Sequence, residues 1–114
     1  MGTVSLTSLA AQHIEAARQA ESGRSATTVY GGRGRHLRQT LLAMVAGQGL
    51  AEHASPGDAT LQVLFGRIVL RTDRERWELE AGSFVAIPDE VHAVDVLEDA
   101  AFLLSVAKTE SHGE

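Results

Sequence analysis

The sequence predicts an all-β domain, a sandwich or barrel of short strands, with one α-helix in front of it. Two observations carry this. Apolar residues recur at helical spacing only near the N-terminus, and from Ala26 onward the period shortens to that of strands. Glycine, proline and acidic residues then punctuate the chain into about eight short strands, the spacing expected of a sandwich or barrel.

The helix is read over residues 6–20. Leu6, Leu9, Ala10, His13, Ile14 and Ala17 form an i, i+3, i+4 stripe, with Thr7 or Ser8 as its cap and Gly23 just past its end. His13 lies on the apolar face and is read as a packed, satisfied histidine. Val29-Tyr30 leads into the flexible link GGRGR, and His36–Ala46 follows as a long strand that Gly47 and Gly49 end. The next strand runs over Thr60–Phe65. Gly66 turns the chain into Arg67–Arg71, and Thr72-Asp73-Arg74-Glu75 makes a hairpin turn. Arg76–Leu79 returns with Trp77 and Leu79 on one face and Glu78 and Glu80 on the other. Ser83–Ile87 is nearly all apolar, Pro88-Asp89-Glu90 is a loop, and His92–Leu97 ends at Glu98-Asp99. Ala100–Ala107 closes the fold as a buried strand. Residues 1–25 are thus a helical segment, 26–108 the β-domain and 109–114 a polar tail.

Composition narrows the function classes. A chain of 114 residues with 44% hydrophobic and 22% charged residues is an ordinary globular domain with a core of useful size. It has no cysteine, which excludes disulfides, thiolate metal sites and thiol nucleophiles. Its longest apolar run, Leu41–Ala46, is far below the ~20 residues of a membrane span. The N-terminus, with Gln12, His13 and Glu15 and no Lys or Arg before Arg18, does not resemble a signal peptide. The expectation is a cytoplasmic protein that does not engage membranes. A net charge of −5 gives little attraction to phosphate backbones, so nucleic acid is not an expected partner. Arg33, Arg35 and Arg38 form a small basic cluster, read as a solvated loop and strand start.

Two stretches carry the candidate site. Gly47–Gly66, GQGLAEHASPGDATLQVLFG, places His53 and Ser55 between its glycines. Gly82–His92, GSFVAIPDEVH, repeats the order glycine, apolar run, proline, histidine. Gly47, His53, Ser55, Ala59 and Gly66 have the spacing of the first motif of the cupin superfamily, and Gly82, Pro88 and His92 resemble the second. The resemblance spans about residues 38–107 and implies a double-stranded β-helix, the cupin or jelly-roll barrel, behind the N-terminal helix.

The family's metal site uses three histidines and one glutamate. By resemblance His53 corresponds to the first histidine and His92 to the last. Ser55 stands at the second histidine and Ala59 at the glutamate. Val96 replaces the usual asparagine, Glu90 the usual glycine, and the second motif reaches its histidine one residue early. Two imidazoles leave most of a divalent ion's coordination shell to water. Asp58 would complete a two-histidine, one-carboxylate set for Fe, Mn, Ni or Zn only if the loop or a bulge turned it inward, because side chains alternate along a strand. Glu52, Glu90 and Asp95 are the other nearby carboxylates, and Gln62 should face away from Ala59.

Three functions follow as expectations. The first is a small-molecule-binding domain whose pocket is lined by His53, Ser55, His92 and Gln39 or Thr40, with a divalent metal held weakly if at all. The second is a metal-dependent oxygenase, isomerase or lyase acting on a small organic acid. The third is a non-catalytic interaction protein acting as a homodimer, a role for which Phe65, Phe84, Trp77 and Phe102 are read as core or dimer contact.

Overall fold

The computed structural model describes residues 2–54 and 57–108. One helix, α1 (Leu6–Gln19), precedes seven strands: β1 (Arg24–Tyr30), β2 (Leu37–Met44), β3 (Gly49–His53), β4 (Gly57–Arg71), β5 (Arg76–Glu80), β6 (Phe84–Ala86) and β7 (His92–Lys108). Every strand pairing is antiparallel. The longest path is β1-β2-β7-β4-β5, with β3 added to β7 and β6 added to β4.

The two long strands explain the architecture. The C-terminal half of β7 pairs with β2 and with the start of β4, which also carries β6. The N-terminal half of β7 pairs with β3 and with the end of β4, which also carries β5. Both long strands thus serve two layers, β1-β2-β7-β4-β6 and β3-β7-β4-β5. The sheet does not close on itself.

Between the layers lies the main core, built from Met44, Leu61, Val63, Ile68, Leu70, Leu79, Val94, Val96, Ala100 and Phe102. Trp77, Leu50, Val85 and Ile87 pack against it. A second cluster lies on the outer side of the first layer, where Ala10, Ile14 and Ala17 of α1 cover Leu41, Ala43, Ala101 and Leu103. Leu41–Met44 and Ala100–Leu103 are therefore continuous apolar runs because they are buried on both faces, one side in the main core and the other beneath the helix. The outer face of the second layer is charged instead. There Arg67 bonds Glu78, and Arg71 Nε donates to Asp95 Oδ2 at 2.6 Å, over a fully buried Val69.

Several local expectations are corrected. Ser5 caps α1: its hydroxyl accepts from the Ser8 amide at 3.2 Å, so neither Thr7 nor Ser8 is the cap. Arg24–Tyr30 and Gly49–His53 are strands whose short, polar composition hid them. Gly66 is no turn. It sits at φ +83° inside β4, where the register slips against β7, and a Cβ there would run into the carbonyl oxygen of Asp99. β7 likewise continues through Glu98 and Asp99. Four expected strands merge into two, β4 and β7, and with the two hidden strands the number is seven. No helix among the described residues is long and apolar enough to cross a membrane.

Candidate functional site

The end of β3 and the start of β7 bring His53 and His92 together. Leu50 lies opposite Val94 and packs on the main core, so strict alternation would turn Glu52 inward next. A register shift between Leu50 and His53 adds one residue to β3, and His53, not Glu52, becomes the partner of His92. Glu52 instead has a carboxylate oxygen 3.8 Å from Arg71 on the outer charged face.

The imidazole rings are tilted by 59° with centroids 4.5 Å apart. His92 is 2% exposed, whereas His53 is open to solvent. Each ring is held by the backbone two residues earlier. His53 Nδ1 lies 2.7 Å from the Ala51 carbonyl oxygen, and His92 Nδ1 lies 2.9 Å from that of Glu90. A carbonyl only accepts, so Nδ1 carries the proton in both rings, and in the neutral form each Nε2 keeps its lone pair. The pair therefore offers two acceptors, suited to a ligand N–H or O–H group or to a metal ion.

The remaining expected residues are placed as follows. Ser55 lies outside the described residues. Ala59 is 7% exposed and Val96 is 4% exposed, so hydrocarbon fills both positions where the motif carries a glutamate and an asparagine. Asp58, opposite Ala107, is exposed and faces away from Ala59 with no bulge to turn it. Gln39 and Thr40 alternate across β2. Thr40 shares the core side with Leu42 and Met44, and Gln39 points to the helix side, where its Nε2 donates to Ser105 Oγ at 3.1 Å. His13 is hydrogen-bonded to Ser25, its Nδ1 being 2.7 Å from Oγ. Neither His53 nor His92 bonds to Asp58, Gln39 or Thr40.

A divalent metal is tested by this donor set. Among the described residues, no third histidine, aspartate or glutamate joins the pair in a group that could hold an ion. Two imidazoles alone neither neutralise nor enclose a divalent cation, so these residues do not fit a resident transition metal.

Surface clefts among the described residues lie elsewhere, and neither histidine lines the three that follow. The first, of about 500 Å³, runs between the start of β4 and the loop after β6, with Asp58 and Asp89 at its wall. A second, of about 340 Å³, is apolar and separates α1 from Leu64 and Phe65. A third, of about 510 Å³, lies where the GGRGR link meets β2 and is lined by Tyr30, Arg35, His36, Leu37 and Gln39. Sequence reasoning passed over this last one. Tyr30 reaches it through a bulge between Thr28 and Tyr30 that sets the ring beside Gln39, which strand parity alone does not show.

No protein-family model matches the sequence, and no curated protein matches it. Solved structures do. A protein of unknown function from Streptococcus pyogenes is 27% identical, with 81% of this chain and 80% of that one covered at a TM-score of 0.71. A cupin superfamily protein from Desulfitobacterium hafniense is 16% identical over 79% of this chain and 82% of that one, at a TM-score of 0.72. A cupin 2 conserved barrel domain protein from Leptotrichia buccalis is 25% identical at a TM-score of 0.69; 78% of this chain covers 43% of that longer one.

Proposed function

We propose that this chain, a small cupin by fold, binds a small polar molecule in the cytoplasm through His53 and His92 without a resident metal. The observation that carries the reading is the histidine pair itself. Both rings are pinned by Nδ1 and present Nε2, one from a buried position and one from the solvent side. Such a pair recognises a ligand that donates two hydrogen bonds, for example a polyol or a hydroxy acid, against the apolar wall that Val94 and Leu50 begin. A divalent ion would bind here weakly and reversibly, completed by water.

The test is a thermal-shift screen of sugars, polyols and hydroxy acids, run with and without a chelator. A stabilising compound is expected whose effect survives chelation and is lost in both His53→Ala and His92→Ala. A panel without any hit, or a hit indifferent to both substitutions, counts against the site. Stoichiometric metal that survives dialysis and vanishes in the double variant would favour the metal-dependent enzyme instead.

Self-association is supported by a separate observation. Phe65 is 50% exposed and Phe84 63% exposed on the first layer, and Phe65 also edges the apolar cleft beside α1. A second copy of the chain is the proposed cover. Sedimentation is expected to give a dimer that Phe65→Ser with Phe84→Ser converts to monomer; a monomeric parent protein removes this reading.

A further inference from the structure

The arginines of this chain fall into two groups. Arg18, Arg67 and Arg71 are each paired with a carboxylate, and Arg24 donates to Gln48 and to the Gly49 carbonyl oxygen. Arg33, Arg35 and Arg38 have no acidic partner among the described residues. The sequence around them is equally one-sided, since no Asp or Glu occurs between Glu21 and Glu52. Across β2, the facing end of β7 brings Ser105, Val106 and Ala107, which add no charge, and Lys108, which adds another positive one. Asp58 lies one strand further on, opposite Ala107, so among the described residues it is the β1–β2 corner of this layer that carries arginines without carboxylates.

That corner also has shape. The cleft of about 510 Å³ is walled by Tyr30 and Gln39, which lie side by side across β1 and β2, and by Arg35 from the link. Tyr30 is 46% exposed and offers a ring face. Gln39 is held through its Nε2 by Ser105, which leaves its carbonyl oxygen and fixes the amide plane. The link itself is tightly laid down: Gly31 sits at φ +114°, and any Cβ there would strike the Leu37 carbonyl and Arg38 Cα. Arg33 stands on the same link, two residues before Arg35, beside the cleft and not in its wall. Arg38 faces the other side of β2 from Leu37 and Gln39, so it adds to the potential but not to the wall.

We propose that this cleft is a second binding site, distinct from the histidine pair, for a small phosphate-bearing molecule with a flat apolar portion. The guanidinium forks of Arg33 and Arg35 match phosphate oxygens, and the Tyr30 ring takes the flat part. A small ligand fits better than a nucleic acid. Two or three arginines on an otherwise acidic surface meet one phosphate group or two, whereas stable backbone binding takes several more.

The probe is inorganic pyrophosphate, followed by amide chemical shifts in the ¹⁵N-labelled full chain, with adenosine monophosphate as the second titrant. Saturable shifts are expected over residues 30–39, with affinity falling about tenfold or more in Arg33→Gln with Arg35→Gln. Tyr30→Ala is expected to weaken the nucleotide and leave pyrophosphate unchanged. Arg74 in the β4–β5 turn and Arg76 at the start of β5, also without an ion pair among the described residues, serve as an internal control. The titration is repeated in Glu110→Gln with Glu114→Gln, so that carboxylates from beyond Lys108 do not mask the arginines. Shifts that never saturate in either background, or that are as large at Arg74 and Arg76, show a counterion effect only and overturn the proposal. So does an oligonucleotide that binds far more tightly than both small probes.

Discussion

Asp99 fastens α1 to the bend of β7 through Arg18. Its Oδ2 accepts from Arg18 Nε at 2.8 Å while its Oδ1 accepts from the Ala46 amide at 2.9 Å. One carboxylate thus joins the helix, the end of β2 and the strand that passes between the layers. The Ala46 amide first, and then the Arg18 guanidinium, hold its pKa below the ordinary carboxylate value.

Acid should therefore loosen this junction. A carboxyl group with a lowered folded pKa binds fewer protons in the native state than in the unfolded one. Its stabilisation is full above the unfolded pKa, near 4, and is lost as pH falls through the folded value. Asp99→Asn is expected to cost about 1 kcal/mol at neutral pH, a modest figure because the Arg18 partner is solvated. It should also flatten the decline in stability below about pH 4. Urea midpoints of parent and variant at pH 7 and pH 3 check both; an equal gap at the two values contradicts the assignment.

Gly66 and Gly82 separate backbone strain from collision. Both have positive φ, +83° and +93°. A Cβ on Gly82 meets open space, while one on Gly66 meets the Asp99 carbonyl and the Ala100 backbone. Gly82→Ala is expected to cost about 1 kcal/mol, the left-handed penalty alone. Gly66→Ala should cost about 3 kcal/mol or more, since β4 and β7 must part at the bend. Denaturant melts of the two variants decide; similar losses would mean that β7 yields easily.

The cap assignment is tested the same way. Ser5→Ala removes the hydroxyl that accepts from the Ser8 amide and is expected to cost about 1 kcal/mol. Thr7→Ala and Ser8→Ala lie within the first turn and should change stability by less than about 0.5 kcal/mol. Thermal unfolding of the three variants gives the order.

His92 and His53 should differ in structural weight despite facing each other. His92→Ala empties a buried position and leaves the Glu90 carbonyl without its donor, for a loss of about 1–2 kcal/mol. His53→Ala, at an exposed position, should be near neutral. Chemical denaturation of each checks this, and it also sets the baseline for the ligand screen.

Much of the fold was readable before any coordinates. The 3.6-residue stripe of Leu6–Ala17, the alternation of Trp77 and Leu79 with Glu78 and Glu80, and the double-faced apolar runs in β2 and β7 are statements about periodicity, and local periodicity is written in the chain. So were the glycine frame and the histidines at its ends. What the chain alone left open depended on register. Bulges in β1 and β3 set Tyr30 beside Gln39 and His53, instead of Glu52, opposite His92, and a single inserted residue reverses which face a strand presents. Gly66 reads as a turn in one dimension and proves to be the close contact that lets β4 run on through two layers. That Arg33 and Arg35 have no acidic partner among the described residues is likewise a property of neighbours brought in from other strands, which no local pattern encodes. Gly47–Gly66 and Gly82–His92 thus each hold one histidine of the pair, and the register of β3 on β7 determines that they meet.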